Sequence, residues 1–419
     1  SAIKMALSEL VEGRADMMLT GGVDTDNSPF MYMSFSKTPA FSKSGNISPF
    51  SDKADGMLIG EGLGMIVLKR LEDAERDGDQ IYAVIKGIGT SSDGRFKSVY
   101  APRSSGQAMA IERAYEEAGF DPKTVGLLEA HGTGTGAGDP TEFNSMQMVF
   151  GKDNPIKQHI ALGSVKSQIG HTKAAAGAAG IIKTILALHH KVLPPTINVE
   201  QPNAKFDIEN SAIYINTAAR PWMRGQTPRR ASVSAFGFGG INVHIAMEEY
   251  TKSQQSTYRI HQPYHSILLN ANTPAELLTI CQNGLQSIEK EGEKGFKTLA
   301  GISNKGAIAA NQARLGFVTT DAEECKAFLA IAIQNLQKGA TSWEHPKGIY
   351  FRANGIAANT KVAALFSGQG SQYVGMGKEI TNAFPPMLNA FAQIDTAFEK
   401  EGKEKITKTI FPIPVFNKA

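Results

Sequence analysis

The feature that most constrains this chain is a pattern that occurs twice between residues 127 and 190. A short apolar strand runs into a turn of small residues, and the turn opens a helix: LLEAHGTGTGAGDPTEF at 127–143, then IALGSVKSQIGHTKAAA at 160–176. The same alternation extends over residues 1–250. β-rich runs fall at Met17–Leu19, Gly64–Leu68, Tyr82–Ile85, Gly126–Glu129, Ile160–Val165 and Ala212–Asn216. Helical runs fall at Gly106–Ala118, Pro140–Phe150 and Ala174–His190. Strands alternating with helices predict an α/β layered domain. In such sheets the chemistry gathers where strands end.

Composition narrows the function classes. With 419 residues, 42% of them hydrophobic and 20% charged, the chain forms cores; it is not a disordered tail, a collagen-like fibre or a coiled coil. The net charge of +3 leaves no electrostatic footprint for nucleic acid or an anionic membrane. The longest small-and-apolar stretch, Ala174 to Leu188, is broken by Lys183 and falls short of the roughly 20 residues that span a bilayer. Cys281 and Cys325 are too few for a disulfide framework and too far apart for a metal knuckle, so a reducing cytoplasm is the expected setting. No signal-peptide pattern is visible in the first residues. An amphipathic pattern (Ile3, Leu7, Leu10) already runs at Ser1, which reads as a truncated chain.

At Glu248–Ser256 the sequence turns polar and aperiodic. Two strand–helix units follow. SILLNA leads to Thr273 and Pro274, a cap and a helix-opening proline. RLGFVTT leads to Asp321 and Glu324, a capping box. This segment is expected to be a connector without a site. From about Lys361 an apolar strand, VAALF, is expected to enter the Gly-rich turn SGQGSQ, with one clear helix beyond it.

Three loops hold candidate chemistry. In the first, a buried strand delivers His131, glycines allow close backbone approach, and Thr133 and Thr135 offer hydroxyls. Asp139, Pro140 and Glu142 read as an N-cap, a helix-starting proline and a capping-box acid. The bland alternative is a satisfied core histidine. Gly132, Gly134 and Ala137 also give a weak G-x-G-x-x-A match to a dinucleotide fingerprint. A carboxylate at the helix start and the lack of an acid near position 157 count against it. In the second loop, Lys166 and His171 share a strand-end turn before an Ala/Gly-rich helix. Nothing in the spacing of His131, His171 and Asp139 resembles a local metal motif. In the third, SVSAFGFGGINVH at 232–244, Phe236 and Phe238 alternate with glycines. It reads either as an aromatic gate whose N–H groups stabilise an oxyanion or as a bulged or edge strand.

Together these elements resemble the β-ketoacyl synthase (condensing enzyme) family of fatty acid and polyketide synthases, which has the thiolase fold. The resemblance runs through SKTPAFS (36–42), PFSDKADGMLIGEGLG (49–64), EAHGTGTGAGDP (129–140), KSQIGHTKAAAG (166–177) and GFGGINVH (237–244). DNSPFMYMSFSKTPAF, KSQIGHTK and HHKVLPPTINV bring it nearest to the ketosynthase–acyltransferase polypeptides of bacterial polyunsaturated fatty acid synthases. It implies a thiolase-like layered αβαβα ketosynthase domain over 1–250, truncated at its N-terminus. A small α/β linker domain over 251–360 and the start of a malonyl-type acyltransferase over 361–419 would follow.

By this resemblance His131 and His171 are the catalytic histidines of decarboxylative Claisen condensation, and Lys166 tunes them. Thr133 and Thr135 bond the phosphopantetheine arm. Phe238, with Gly239, is the gate and oxyanion element, the Phe238 backbone N–H lying in the oxyanion hole, and Gln369 supplies a backbone N–H to the acyltransferase oxyanion hole. The family's nucleophilic Cys has no counterpart here, since Cys281 and Cys325 match no such motif, and the acyltransferase serine elbow is absent. The chain alone is therefore expected to be inactive. No metal or directly bound cofactor is implied. The expected partners are acyl carrier protein with its phosphopantetheine, malonyl- and acyl-thioesters, and a second copy in a homodimer. Two other readings stay open: a non-catalytic dimerisation or carrier-docking module, and a dinucleotide-dependent dehydrogenase.

Overall fold

The computed structural model describes residues 1–416 except 39, 96–97, 99–100, 253, 255–263, 304–307, 356–360 and 362. Pro39 of the SKTPAFS run, Ser253, Gln255 and Ser256 of the polar stretch, and Val362 of the VAALF run lie outside the described residues. The chain divides into two compact units, Ser1–Arg259 with Gln372–Ala419, and Ile260–Ser371.

In the first unit, helix α1 (Ala2–Val11) precedes strand β1 (Met17–Asp24), which pairs antiparallel with β2 (Gly62–Lys69) from Met17↔Lys69 to Asp24↔Gly62. Helices α2 (Pro29–Ser36) and α3 (Leu71–Asp77) flank β2 in sequence. One face of the ribbon carries Leu19, Val23, Leu63, Met65 and Val67, all exposed.

The main sheet uses β3 (Val84–Ser92), β4 (Leu127–Glu129), β5 (Ile160–Gly163), β7 (Ile213–Ile215), β9 (Arg230–Phe236) and β10 (Ile241–Glu248) in the order β3-β10-β9-β4-β5-β7. The two-residue strands β6 (Val192–Leu193) and β8 (Arg220–Pro221) pair separately. Strands β9, β4, β5 and β7 run parallel, while β10 is antiparallel to both its neighbours. Every residue of β4, β5 and β7 is buried, as expected of short parallel strands covered on both faces. The SVSAF run is thus an interior strand and not an edge.

Helices α4 (Ser104–Ala118), α5 (Gly138–Phe150), the single turn α6 (Lys166–Ile169) and α7 (Ala176–His190) complete the first unit's α/β part. Helix α4 approaches β3 so closely that a Cβ on Gly89 would stand 1.9 Å from the Ala110 carbonyl oxygen. The core between α4, α5 and the sheet gathers Ile111, Leu128, Phe150, Ile160 and Leu162. Each such side chain contributes about 1.5–3 kcal/mol through burial. The small residues of α7 serve the same purpose against β9, where a Cβ on Gly180 would meet Val233 at 3.2 Å.

The second unit orders β11 (His265–Ala271), β12 (Ala313–Thr319), β13 (Ser342–His345) and β14 (Ile349–Arg352) as the antiparallel sheet β11-β12-β14-β13. Helices α8 (Pro274–Glu291), α9 (Glu293–Ser303) and α10 (Ala322–Leu336) share a core with Ile267, Leu269, Leu315, Phe317, Ile349 and Phe351 of the sheet, while Leu268, Val318 and Tyr350 stay exposed. Both caps form. Thr273 Oγ1 accepts from Glu276 N–H at 3.2 Å, and Asp321 accepts from Glu324 N–H at 2.9 Å. The Glu324 carboxylate reaches past the cap residue to Thr320 N–H at 2.7 Å. Cys281 and Cys325 sit in this core, where burial pushes each thiol up to about 12.

The expected VAALF strand does not form. Ala363–Phe366 are irregular, with Leu365 95% and Phe366 92% exposed. None of the described strands pairs with them, and an apolar run without a ladder partner or a surface to cover has no reason to extend as a strand. Beyond it stand three helices where one was expected: α11 (Lys378–Ala383), α12 (Pro385–Lys400) and α13 (Ile406–Ile410).

Candidate active site

His131 is the second residue past β4. The loop that follows turns at Gly132 (φ +41°) and Gly134 (φ +72°), conformations costly for any other residue. A Cβ at Gly132 would also strike Ser164 Cβ at 2.7 Å. Two buried carboxylates hold this loop. Glu142 accepts from His131 N–H (2.7 Å) and Gly132 N–H (2.8 Å). Asp139 accepts from Gly134 N–H (3.0 Å) and, from a distant loop, Phe50 N–H (2.7 Å).

This corrects the capping reading. Helix α5 starts at Gly138 with Ala137 before it, and Asp139 and Glu142, 1% and 2% exposed, point back into the loop. Loop N–H groups that would otherwise be orphaned inside the protein outcompete the helix end for these acceptors. Burial pushes Asp139 up to about 6 and Glu142 up to about 7. The same bonds remove the dinucleotide reading, because the glycine N–H groups that would cradle a pyrophosphate are already taken.

The second strand end is tied to the first. Ala130 N–H bonds Gly163 O at 2.8 Å, and Ser164 Oγ donates to Gly132 O at 2.9 Å. Lys166, 3% exposed, begins α6 and donates its ammonium to the His131 carbonyl oxygen at 2.5 Å. Burial lowers its pKa, and the carboxylates of Glu129, Glu142 and Asp139 oppose that shift. His171 is fixed by backbone bonds to Leu58 O (2.8 Å) and from Gly60 N–H (3.0 Å). Its Nδ1 accepts from Lys173 N–H at 3.0 Å, which puts the ring proton of the neutral form on Nε2. Lys173 itself is clamped by Asp24 (3.0 Å) and Asn27 (2.8 Å).

The two imidazoles meet edge to face, with centroids 5.4 Å apart and an interplanar angle of 83°, and Phe236 stands 6.0 Å from His131. Burial, with Lys166 nearby, holds His131 well below its usual range and His171 at about 3. Both rings are neutral at pH 7. Two neutral imidazoles set side by side, each with one ring N–H to donate, suit stabilisation of a developing oxyanion better than proton storage.

The structure thus brings His131, His171 and Lys166 together. Thr133 and Thr135 share the His131 loop, with their hydroxyls 3.0 Å apart and part-exposed, and Thr135 Oγ1 also accepts from Gly138 N–H at 3.2 Å. Phe238 and Gly239 lie at the tip of the β9–β10 hairpin. The Phe238 ring is 52% exposed and 6.2 Å from that of Phe35. Gln369 lies in the second unit, exposed beside the turn closed by Ser371 N–H to Gly368 O. The loop-holding roles of Asp139 and Glu142, the Lys173 contact that fixes the His171 tautomer, and the packing of Phe236 on His131 escape sequence reasoning. No spacing or motif in the sequence signals these contacts. Among the described residues no cluster of potential ligands could hold a metal ion, and no helix is long and apolar enough to cross a membrane.

Comparison with known proteins bears on the family and the fold. Residues 1–74 match the beta-ketoacyl synthase N-terminal domain, residues 82–200 the C-terminal domain, and residues 202–309 the ketoacyl-synthetase C-terminal extension. The chain is similar to a polyunsaturated fatty acid synthase polypeptide of Thraustochytrium sp., 44% identical over 98% of this chain and 16% of that protein. It is also similar to erythronolide synthase EryA2 of Saccharopolyspora erythraea, 31% identical over 99% of this chain and 11% of that protein. The chain therefore spans only a small part of these relatives. Among solved structures, the ketosynthase from module 6 of the bacillaene synthase of Bacillus subtilis 168 matches with a TM-score of 0.58. It is 31% identical, over 99% of this chain and 68% of that one.

Proposed function

Because the chain belongs to the β-ketoacyl synthase family, we propose that it forms the histidine-bearing part of a 3-oxoacyl-[acyl carrier protein] synthase within a polyunsaturated fatty acid or polyketide synthase. The observation that carries this reading is the pairing of two neutral, buried imidazoles over a lysine that is itself bonded to the His131 carbonyl. In the proposed reaction the malonyl C–C bond to the carboxylate breaks and carbon dioxide leaves. The electron pair passes to the thioester enolate, whose oxygen receives hydrogen bonds from His131 and His171. The enolate carbon then attacks a Cys-bound acyl carbonyl, forming the β-ketoacyl thioester and releasing the thiolate, which takes up a proton. Each well-placed donor to the enolate contributes a few kcal/mol to the barrier reduction.

The residues fit a phosphopantetheine arm delivered by acyl carrier protein: Thr133 and Thr135 offer part-exposed hydroxyls on the loop that carries His131. Phe238 and Gly239 would gate the acyl side from the hairpin tip. Cys281 and Cys325 are unsuited to the nucleophile's role, being buried in the second unit with thiols far from ionising at pH 7. Residues 1–250, 251–360 and 361–419 are assigned to the ketosynthase domain, its linker and the opening of an acyltransferase domain, with Gln369 serving the last. We place the protein in the cytoplasm, as a homodimer.

The test uses the complete synthase polypeptide with malonyl- and acyl-loaded carrier protein, followed by intact-mass analysis of the carrier. A β-ketoacyl product formed by the wild type and lost in His131→Ala and His171→Ala supports the reading. Wild-type product yield in either variant removes that histidine from the mechanism. The carrier-docking reading draws on the unsuitability of both cysteines, and it predicts carrier binding without carbon dioxide release.

A further inference from the structure

Beneath the two loops lies a buried ion pair that none of the roles above uses. Glu129, the last residue of β4, and Lys183, on α7, meet at 2.8 Å through Oε2 and Nζ, both almost out of reach of solvent. The other carboxylate oxygen of Glu129 accepts from Val165 N–H at 2.6 Å. Val165 is the residue before Lys166, and Lys166 returns to the chain of Glu129 by donating to the carbonyl of His131. These contacts close a ring: from Glu129 along the backbone to His131, across to Lys166, back to Val165, and through its N–H to the Glu129 carboxylate. Helix α7 leaves room for this side chain at Gly180, where a Cβ would stand 3.3 Å from Glu129 Cγ.

A buried ion pair contributes little net stability, because desolvation offsets the Coulombic gain. Its value lies in geometry. A carboxylate accepts a stronger hydrogen bond than a neutral group does, and the Lys183 contact at 2.8 Å anchors the Glu129 carboxylate from the side opposite Val165.

We infer that Glu129 and Lys183 are a positioning pair for Lys166: the paired carboxylate fixes the Val165–Lys166 turn, so that the Lys166 ammonium stays bonded beneath His131. The inference rests on the condensing-enzyme reading for its catalytic consequence but not for its geometry. Two readouts therefore separate the two. The first is amine acylation of the complete polypeptide, read by peptide mass spectrometry at Lys166 with Lys69 as an internal reference. Labelling of Lys166 is low in the wild type and in Lys183→Arg. It rises several-fold in Glu129→Ala and Lys183→Met while Lys69 is unchanged. Equal Lys166 labelling in all four proteins overturns the inference whether or not the enzyme is active.

The second readout is steady-state decarboxylation of malonyl-carrier protein. Glu129→Ala and Lys183→Met lower kcat by about tenfold or more, as expected when a catalytic group is misplaced, while KM stays within about twofold. The neutral double variant Glu129→Gln/Lys183→Met exceeds Lys183→Met in kcat. It also stands in for that single variant should the latter fail to fold, and there a kcat below one-tenth of wild type refutes a repaired pair. Unchanged kcat in folded single variants contradicts the inference. A wild type that releases no carbon dioxide while Lys166 labelling still responds leaves the pair standing and sinks the condensing reading.

Discussion

At the residue scale, the site rests on buried groups whose charge is set by burial. His244 gives a test away from the histidine pair. Its ring packs beside the contacting pair Tyr115 and Phe150, Nδ1 bonds Ser234 Oγ at 2.9 Å, and burial lowers its pKa to about 3 from 6.5. Above pH 6.5 the ring is neutral in folded and unfolded chains, so it adds no pH dependence. Between 6.5 and 3 only the unfolded chain takes the proton, and stability falls as pH falls, by up to about 1.4 kcal/mol per pH unit. Denaturant unfolding of wild type and His244→Gln between pH 7 and 4 should show the wild type losing ground steadily; parallel curves would contradict the assignment. Asp139 and Glu142 carry the opposite sign, since their raised values let the folded chain bind protons first as pH drops from 7 towards 4. At this scale the sequence was legible where residue type is diagnostic: His131, Lys166 and His171 stand at strand ends among glycines. It was misleading at Asp139 and Glu142, because acids near a helix start look alike whether they cap the helix or hold a neighbouring loop. Glu129 and Lys183 meet only through the fold.

At the element scale, close approach governs the packing. Gly89→Ala places a methyl inside contact distance of the Ala110 carbonyl and forces α4 off β3. The expected loss is about 3 kcal/mol or more, read as a lowered urea midpoint. An unchanged midpoint would mean that the helix sits further from the sheet. Thr273→Ala should cost about 1 kcal/mol, since it removes the cap of α8. Hydrogen exchange would locate the loss in the second unit. Strands and helices were legible because period and punctuation agree, as at Pro274 and Asp321. VAALF shows the limit: β propensity in an apolar run says nothing about whether a partner strand is at hand, and Leu365 and Phe366 stand in solvent.

At the scale of the whole molecule, the family match covers both strand-end loops and the polar segment after them, so the layered α/β reading and the site belong to one framework. What the sequence conveys less well is how charge is distributed inside it. Three buried acids and two lysines crowd the strand ends of β4 and β5. The +3 net charge gives no hint of that cluster. The proposed homodimer predicts about twice the monomer mass for the complete polypeptide by light scattering, and a monomer at micromolar concentration would contradict it.

The central claim is that His131 and His171 together stabilise the enolate left by decarboxylation. The most direct measurement is the initial rate of labelled carbon dioxide release from carboxyl-labelled malonyl-carrier protein by the complete polypeptide. His131→Ala, His171→Ala and the control His189→Ala are compared with wild type. The expected result is a loss of about 100-fold or more in each of the first two, and a wild-type rate in the control. Wild-type release from either active-site variant would contradict it.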